Sequence, residues 1–127
     1  MRGTSRVGTL QLQILKVLWA AGAATVAEVH AALPGGADLA YTTVATMLRK
    51  MEARGLVRHR PKGRRFIYEA AVREHDVTAD LAGDVLDRAF EGRLADMVQH
   101  LLTTRDVSAA ELDELSRLIS ARRRKPS

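Results

Sequence analysis

The sequence contains no cysteine, so it can form neither a disulfide framework nor a thiolate-bound zinc or iron–sulfur site. It also has no apolar run close to the roughly 20 residues that a membrane helix needs, and we expect no membrane insertion. The apolar stretch near the amino terminus is interrupted by Gln11, Gln13 and Lys16, which argues against a secretory signal peptide. These absences predict a cytoplasmic protein.

The residues needed for catalysis or for a metal site are also missing. The four histidines, His30, His59, His75 and His100, are too widely spaced for two imidazoles to share one helical face. The aspartates between Asp76 and Asp87 recur at helical spacing and suggest a cation-binding face, but such a stripe is more typical of solvated or Arg-paired carboxylates. No glycine-rich phosphate loop and no nucleophile with a base is evident. We therefore expect no enzyme, no metal and no cofactor.

Aromatic residues make up only 4% of the 127 residues, but hydrophobic residues make up 46%, which is enough to fill a core. Charge is distributed unevenly along the chain. Residues 1–70 carry 11 Lys+Arg against 4 Asp+Glu, whereas residues 71–127 carry 9 against 11. Eight of the bases in the first part lie within residues 49–65, a density typical of phosphate binding and also found on ordinary solvated surfaces.

Two short helices are predicted near the start of the chain. Apolar residues at helical spacing indicate a first helix from Thr9 to a stop at Gly22, with Trp19 in the core. Thr25 and Glu28 have the capping-box spacing, a hydroxyl three residues before a carboxylate, and predict the start of a second helix.

A third helix and a hairpin follow. Residues 41–54 predict a helix that stops at Gly55 and buries Val44, Met47, Leu48 and Met51. Two β-rich runs, residues 56–60 and 66–70, are separated by a cationic loop that contains Gly63. Three helices followed by a basic hairpin are typical of a winged helix-turn-helix, in which the third helix enters the major groove and the wing contacts the DNA backbone.

The outward face of the third helix carries side chains suited to DNA. Thr43, Thr46 and Lys50 fall on one line of the helix. Threonine offers a hydroxyl and a methyl group to base edges, while lysine can reach guanine O6 and N7. Early hydroxyls also serve as ordinary caps or phosphate contacts. The predicted DNA-binding residues are Thr42, Thr43, Thr46, Arg49, Lys50, Lys62, Arg64 and Arg65.

The second half of the chain predicts three amphipathic helices that are too small to form a core alone. A second copy of the chain is the simplest partner, and packing onto the amino-terminal lobe is the alternative. The sequence thus predicts a mostly α protein with a small β-hairpin wing: a winged-helix DNA-binding domain over residues 1–71 and a helical dimerisation domain over residues 72–127. The predicted dimerisation residues are Leu81, Val85, Phe90, Leu94, Met97, Val98, Leu101, Leu102, Leu115 and Leu118.

Several motifs together resemble a known family. The run LAYTTVATMLRKM at residues 39–51 is followed by Gly-Leu-Val at 55–57, Gly-Arg at 63–64 and Tyr68, and the carboxyl half contains LDRAFEG at 86–92 and VSAAEL at 107–112. Their order and spacing resemble the penicillinase-repressor family of the BlaI/MecI type, over nearly the whole chain. The resemblance implies a homodimeric repressor of a palindromic operator, with base contacts from Thr43 and Lys50.

The family's branches differ in the signal that ends repression, and the sequence departs from both. A copper-responsive branch carries a carboxy-terminal cysteine cluster, which this chain lacks. Another branch is cleaved after a membrane-bound β-lactam sensor is triggered, and here His100-Leu101 stands where cleaved members have Asn-Phe. The signal is thus left open: a membrane-bound sensor protease is one candidate partner, and a small ligand or constitutive repression are the alternatives.

For the function itself, the alternative to a repressor is a winged-helix protein-interaction module without specific DNA binding.

Overall fold

The computed structural model describes residues 7–126 and contains six α-helices and three short strands within that part of the chain. The first elements are α1 (Thr9–Ala21), β1 (Ala24–Thr25), α2 (Val26–Ala32), a 3₁₀ turn (Gly36–Asp38) and α3 (Tyr41–Ala53). The remaining elements are β2 (Val57–Lys62), β3 (Arg65–Ala70), α4 (Glu74–Phe90), α5 (Leu94–Thr104) and α6 (Ala109–Arg124). The predicted mostly α fold with a small hairpin wing is confirmed.

The helix ends follow from local capping chemistry. The N–H of Gly22 donates to Leu18 O at 2.7 Å, and the φ of Gly22 is 84°, a value that favours glycine and ends α1 where predicted. At the start of α2, the Glu28 N–H donates to Thr25 Oγ1 and the Thr25 N–H donates to Glu28 Oε1, at 3.2 and 2.8 Å. The predicted capping box is therefore confirmed. The hydrogen bond from the Thr25 N–H to the Glu28 carboxylate lowers the pKa of that carboxyl, and the Thr25 side chain lowers it further.

The sheet has the order β1-β3-β2 and is antiparallel throughout. β1 pairs Ala24 with Tyr68 and Thr25 with Ile67, which ties the entrance of α2 to the hairpin. β1 is not predictable from the sequence, because two residues carry no detectable alternation. Its register with β3 depends on the tertiary packing of residues more than 40 positions apart.

Residues 61–65 were predicted to be a loop, but both strands continue to the pair Lys62–Arg65. Pro61 is tolerated within β2 because this strand lies at the edge of the sheet, where a missing backbone N–H costs no hydrogen bond to a further strand. The turn is therefore reduced to Gly63 and Arg64, with Gly63 at a φ of 63°.

The structure divides into two compact units, one ending at Val85 and the other beginning at Leu86. In the first unit, a continuous apolar core joins the three amino-terminal helices to the base of the hairpin and to the start of α4. Trp19 is half-buried against this core and donates its Nε1–H to Val72 O at 2.9 Å. The fully buried side chains include Ile14, Leu15, Leu18, Val29, Val44, Leu48, Met51, Leu56, Val57 and Val77.

The second unit contains the last residues of α4 together with the whole of α5 and α6. The Ser108 hydroxyl accepts the Glu111 N–H at 3.1 Å and caps α6, which continues to Arg124. The arginine side chains in its last turn interact favourably with the helix dipole. None of the helices within residues 7–126 is both long and apolar enough to cross a membrane.

Candidate nucleic-acid interface

The α3 helix has one buried face and one exposed face. Val44, Leu48 and Met51 are fully buried, as predicted, and fix the rotation of the helix on the core. Met47 was also predicted to be buried, but it is only half-buried, and its Sδ lies 3.4 Å from Gln11 Nε2 at the edge of the core. The rotation of α3 leaves its polar side chains on the outside of the first unit.

The predicted base-reading residues lie on this outer face. Thr42, Thr43 and Lys50 are exposed, and Thr46 is partly exposed one turn before Lys50. The structure therefore brings the threonines and the lysine onto one accessible line, as the spacing predicts. Arg49 is also exposed, and its Nη2 donates to Thr46 Oγ1 at 3.2 Å. This contact orients the Thr46 hydroxyl while leaving its proton free to donate to an acceptor.

The wing consists of β2, β3 and their turn, and its tip is cationic. Lys62 and Arg65 face each other across the last strand pair, and Arg64 lies in the turn between them. All three side chains are exposed, and within the described chain no salt bridge engages them. Lys62 and Arg65 lie close enough to Glu28 to contribute to its lowered pKa. The tip thus presents three cations to any polyanion that approaches it.

Two further arginines on the wing are held by a carboxylate. Arg58 Nε and Arg60 Nη1 lie 2.6 and 3.0 Å from the two carboxylate oxygens of Glu69 on the paired strand. Hydrogen bonds from these guanidinium groups lower the pKa of Glu69. This triad was not predicted from the sequence, because the approach of Glu69 to both arginines depends on the strand register. Glu69 offsets one of the two positive charges.

The histidines and aspartates do not form a metal site in the part of the chain that the structure describes. His30 Nε2 lies 2.6 Å from Leu39 O, which ties the end of α2 to the segment before α3. Asp76 pairs with Arg73 at 3.2 Å, as expected for an ion-paired helical face. His30 and Asp76 therefore have structural partners of their own.

The predicted dimerisation residues fall in both units. Leu81 packs against the core of the first unit, and Val85 is exposed at its end. In the second unit, Phe90, Met97 and Leu115 are partly exposed. The other predicted residues there are exposed, namely Leu94, Val98, Leu101, Leu102 and Leu118. Among the described residues of this unit none is buried, so its apolar side chains have no core of their own.

Comparisons with known proteins point to one family. Residues 7–121 match the family model described as penicillinase repressor. The chain is 26% identical over 119 residues to the penicillinase repressor of Bacillus licheniformis, covering 94% of this chain and 93% of that protein. It is 32% identical over 123 residues to the transcriptional regulator BlaI of Mycobacterium tuberculosis, covering 94% of this chain and 87% of that protein.

A solved structure shares the fold. A mutant MarR from E. coli, crystallised in complex with operator DNA, superposes with a TM-score of 0.51 at 15% sequence identity. The match covers 91% of this chain and 75% of that chain. At this level of identity the likeness concerns the arrangement of helices and wing, and the predicted winged-helix architecture is confirmed by it.

Proposed function

Because this chain belongs to the penicillinase-repressor family, we propose that it is a homodimeric transcriptional repressor that binds a palindromic operator. In this proposal α3, the recognition helix, enters the major groove and the wing lies along the DNA backbone. Both surfaces belong to the first unit, which contains the basic residues 1–70. The cytoplasmic location predicted from the sequence is part of the same proposal.

The observation that carries the proposal is the exposed line of Thr43, Thr46 and Lys50 on a helix whose opposite face is fully buried. Burial of Val44 and Leu48 fixes the helix rotation, so the line is held outward and the helix itself need not be ordered on binding. A lysine can reach guanine O6 and N7, and threonine hydroxyl and methyl groups discriminate among base edges. The predicted base contacts are therefore Thr43 and Lys50, with Thr46 between them.

The remaining predicted DNA contacts have a different role. Thr42 in the first turn of α3, together with Arg49, lies beside the base-reading line and is proposed to contact phosphates. Lys62, Arg64 and Arg65 at the wing tip have no competing ion pair among the described residues, and we assign them to backbone contacts. Phosphate contacts of this kind position the protein and make its affinity depend on salt.

The second unit supports the dimer in this proposal. Its amphipathic helices bury none of their apolar residues within the described chain. An isologous interface would cover the exposed leucines of both copies at once. Two recognition helices related by a two-fold axis then match two inverted half-sites. In the proposed division of labour, residues 1–71 bind DNA and residues 72–127 dimerise.

A binding titration at two salt concentrations tests the proposal against the alternative of a protein-interaction module. The probe is a fluorescent duplex with the inverted repeat found by footprinting upstream of the protein's own gene, and the control duplex has one half-site scrambled. We expect tight binding to the inverted repeat, much weaker binding to the control and a steep loss of affinity as salt rises. Equal affinity for both duplexes, with little salt dependence, would favour the protein-interaction module.

The proposed repressor needs a signal that releases DNA, and α5 offers one site for it. The His100–Leu101 bond lies inside this helix, and its two side chains are exposed. A cut there would divide the apolar stripe of α5, which consists of Leu94, Met97, Val98, Leu101 and Leu102. A dimer held by this stripe would be weakened, although the recognition helix would be untouched. We propose a membrane-bound sensor protease as one candidate partner, with a small ligand or constitutive repression as the alternatives.

A further inference from the structure

A hydrogen-bonded side-chain pair joins the recognition helix to the wing. His59 Nδ1 on β2 lies 2.7 Å from one carboxylate oxygen of Glu52 and 2.9 Å from the other. Because a carboxylate only accepts hydrogen bonds, Nδ1 is the donor in this pair. Glu52 lies in the last turn of α3, two residues beyond Lys50, so the contact begins next to the base-reading line.

The His59 ring also packs against two aromatic rings of the wing. Its centroid lies 4.7 Å from that of Phe66 in an edge-to-face arrangement, and 5.4 Å from that of Tyr68. Strand alternation places all three rings on one face of the hairpin, while Arg58, Arg60 and Glu69 lie on the other. Phe66 is 54% exposed and lies two residues after the turn residue Arg64. Glu52, His59 and Phe66 therefore form a path of contacts from α3 towards the wing tip.

The outer half of the wing has little other support. At its base, the Leu56 N–H donates to Met51 O and the Ala71 N–H donates to Leu56 O, both at 2.9 Å. The pairing of β1 with β3 reaches only as far as Ile67. Beyond that residue the hairpin is a two-stranded ribbon with exposed side chains, and such ribbons are marginally stable alone. Its direction relative to α3 therefore depends strongly on side-chain contacts with that helix.

We propose that Glu52 and His59 are positioning residues that set the direction of the wing tip relative to the recognition helix. They hold Arg64 where it reaches the backbone while Lys50 reads the bases, and neither of the pair needs to touch DNA. This role rests on the proposed function. It predicts energetic coupling between His59 and Arg64 in DNA binding, and none between His59 and Lys50, because Lys50 stands on a helix fixed by the core.

A double-mutant cycle on the full chain tests the coupling, with affinity for the inverted-repeat duplex measured by fluorescence anisotropy. Arg64→Ala in the otherwise unaltered protein is expected to weaken binding about tenfold, as for loss of a hydrogen bond to a charged group. In the His59→Ala background the same change should weaken binding by only about two- to threefold, because the wing tip is no longer held in place. Lys50→Ala should have its full effect in both backgrounds.

Two further variants separate positioning from loss of folding. Glu52→Gln keeps an acceptor for His59 and should retain most of the effect of Arg64→Ala, whereas in the Glu52→Ala background that effect should fall to about two- to threefold, as with His59→Ala. Lys16→Ala breaks the exposed Lys16–Glu74 pair of the same unit and is the matched control, with no expected coupling to Arg64. If His59→Ala melts far below this control, the two Glu52 variants provide the same cycle.

The outcomes are distinct. The positioning role is supported if the losses of DNA affinity from His59→Ala and Arg64→Ala are less than additive. The losses from His59→Ala and Lys50→Ala must be additive in the same experiment. Additive losses for both pairs overturn it while leaving the proposed repressor function intact. Failure of the unaltered protein to prefer the inverted repeat over the scrambled duplex would instead overturn the proposed function, and the positioning role with it.

Discussion

Truncation of Leu118 provides a direct test of the proposed dimer. Leu118 lies on α6 and is 61% exposed in the single chain, so Leu118→Ala removes few contacts within the protomer. Alanine is also a good helix former, and the helix itself should persist. Any large effect of the change must therefore come from a surface that covers this side chain in the assembled protein.

The expected magnitude follows from the exposed fraction of the side chain. Complete burial of a leucine is worth about 1.5–3 kcal/mol, so covering the 61% that is exposed corresponds to about 0.9–1.8 kcal/mol per protomer. In a two-fold dimer Leu118 is truncated in both protomers, so the loss of dimerisation free energy doubles to about 1.8–3.7 kcal/mol. This corresponds to a dimer about 20- to 400-fold weaker. Because alanine keeps one carbon of the side chain, the lower part of this range is expected.

Sedimentation equilibrium over a range of protein concentrations measures the dimer dissociation constant directly. Arg117→Ala is the matched control, since it truncates the adjacent exposed position of the same helix without removing a hydrophobic residue. We expect the control to dimerise within about twofold of the unaltered protein, because single surface polar side chains contribute little. If Leu118→Ala dimerises as tightly as Arg117→Ala, or if the unaltered protein is a monomer at micromolar concentration, the assignment of this face is wrong.

Four further outcomes are expected. Lys50→Ala should cost about 1–3 kcal/mol on the best operator and relax the base preference, which binding to a panel of single-base operator variants would measure; an equal loss on random DNA would contradict base reading. Arg64→Ala should weaken binding to all sequences alike and reduce the salt slope by about one, as titrations at several salt concentrations would show. The hydrogen bond from the Thr25 N–H lowers the pKa of the Glu28 carboxyl, so the stabilisation from this carboxylate should be complete above the ordinary value of 4.5 and lost as pH falls through the lower folded-state pKa. Thermal melts of Glu28→Gln should therefore show less loss of stability over that acidic range. If repression ends by a cut at His100–Leu101, a blot after β-lactam exposure should show a shortened chain, whereas induced target genes with an intact chain would exclude cleavage.

Local sequence signals were sufficient for most of the fold. The Thr25–Glu28 capping box and the glycine stop at Gly22 act over three or four residues, so their geometry is encoded where it occurs. The rotation of α3 also followed from the sequence, because the spacing of Val44, Leu48 and Met51 matches the helical period. The exposed line of Thr43 and Lys50 was predictable for the same reason.

Contacts between distant parts of the chain were decided only by the tertiary structure. β1 exists because Ala24 and Thr25 meet Tyr68 and Ile67, which no local pattern of two residues can signal. The two arginines held by Glu69 depend on strand register, and a shift of one residue would place Glu69 on the opposite face.

The hydrogen bond between Glu52 and His59 at the candidate site was likewise not predictable from local sequence signals. Helical periodicity places Glu52 on α3 and strand alternation gives His59 a face of the hairpin, but neither period relates the helix to the strand. That relation is fixed by the packing of α3 and the hairpin base on a common core, where buried Met51, Leu56 and Val57 join the two elements. The sequence by itself determined which polar side chains lie on the exposed face of α3, because helical periodicity is local, and the packing of the core determined how the wing is held beside them.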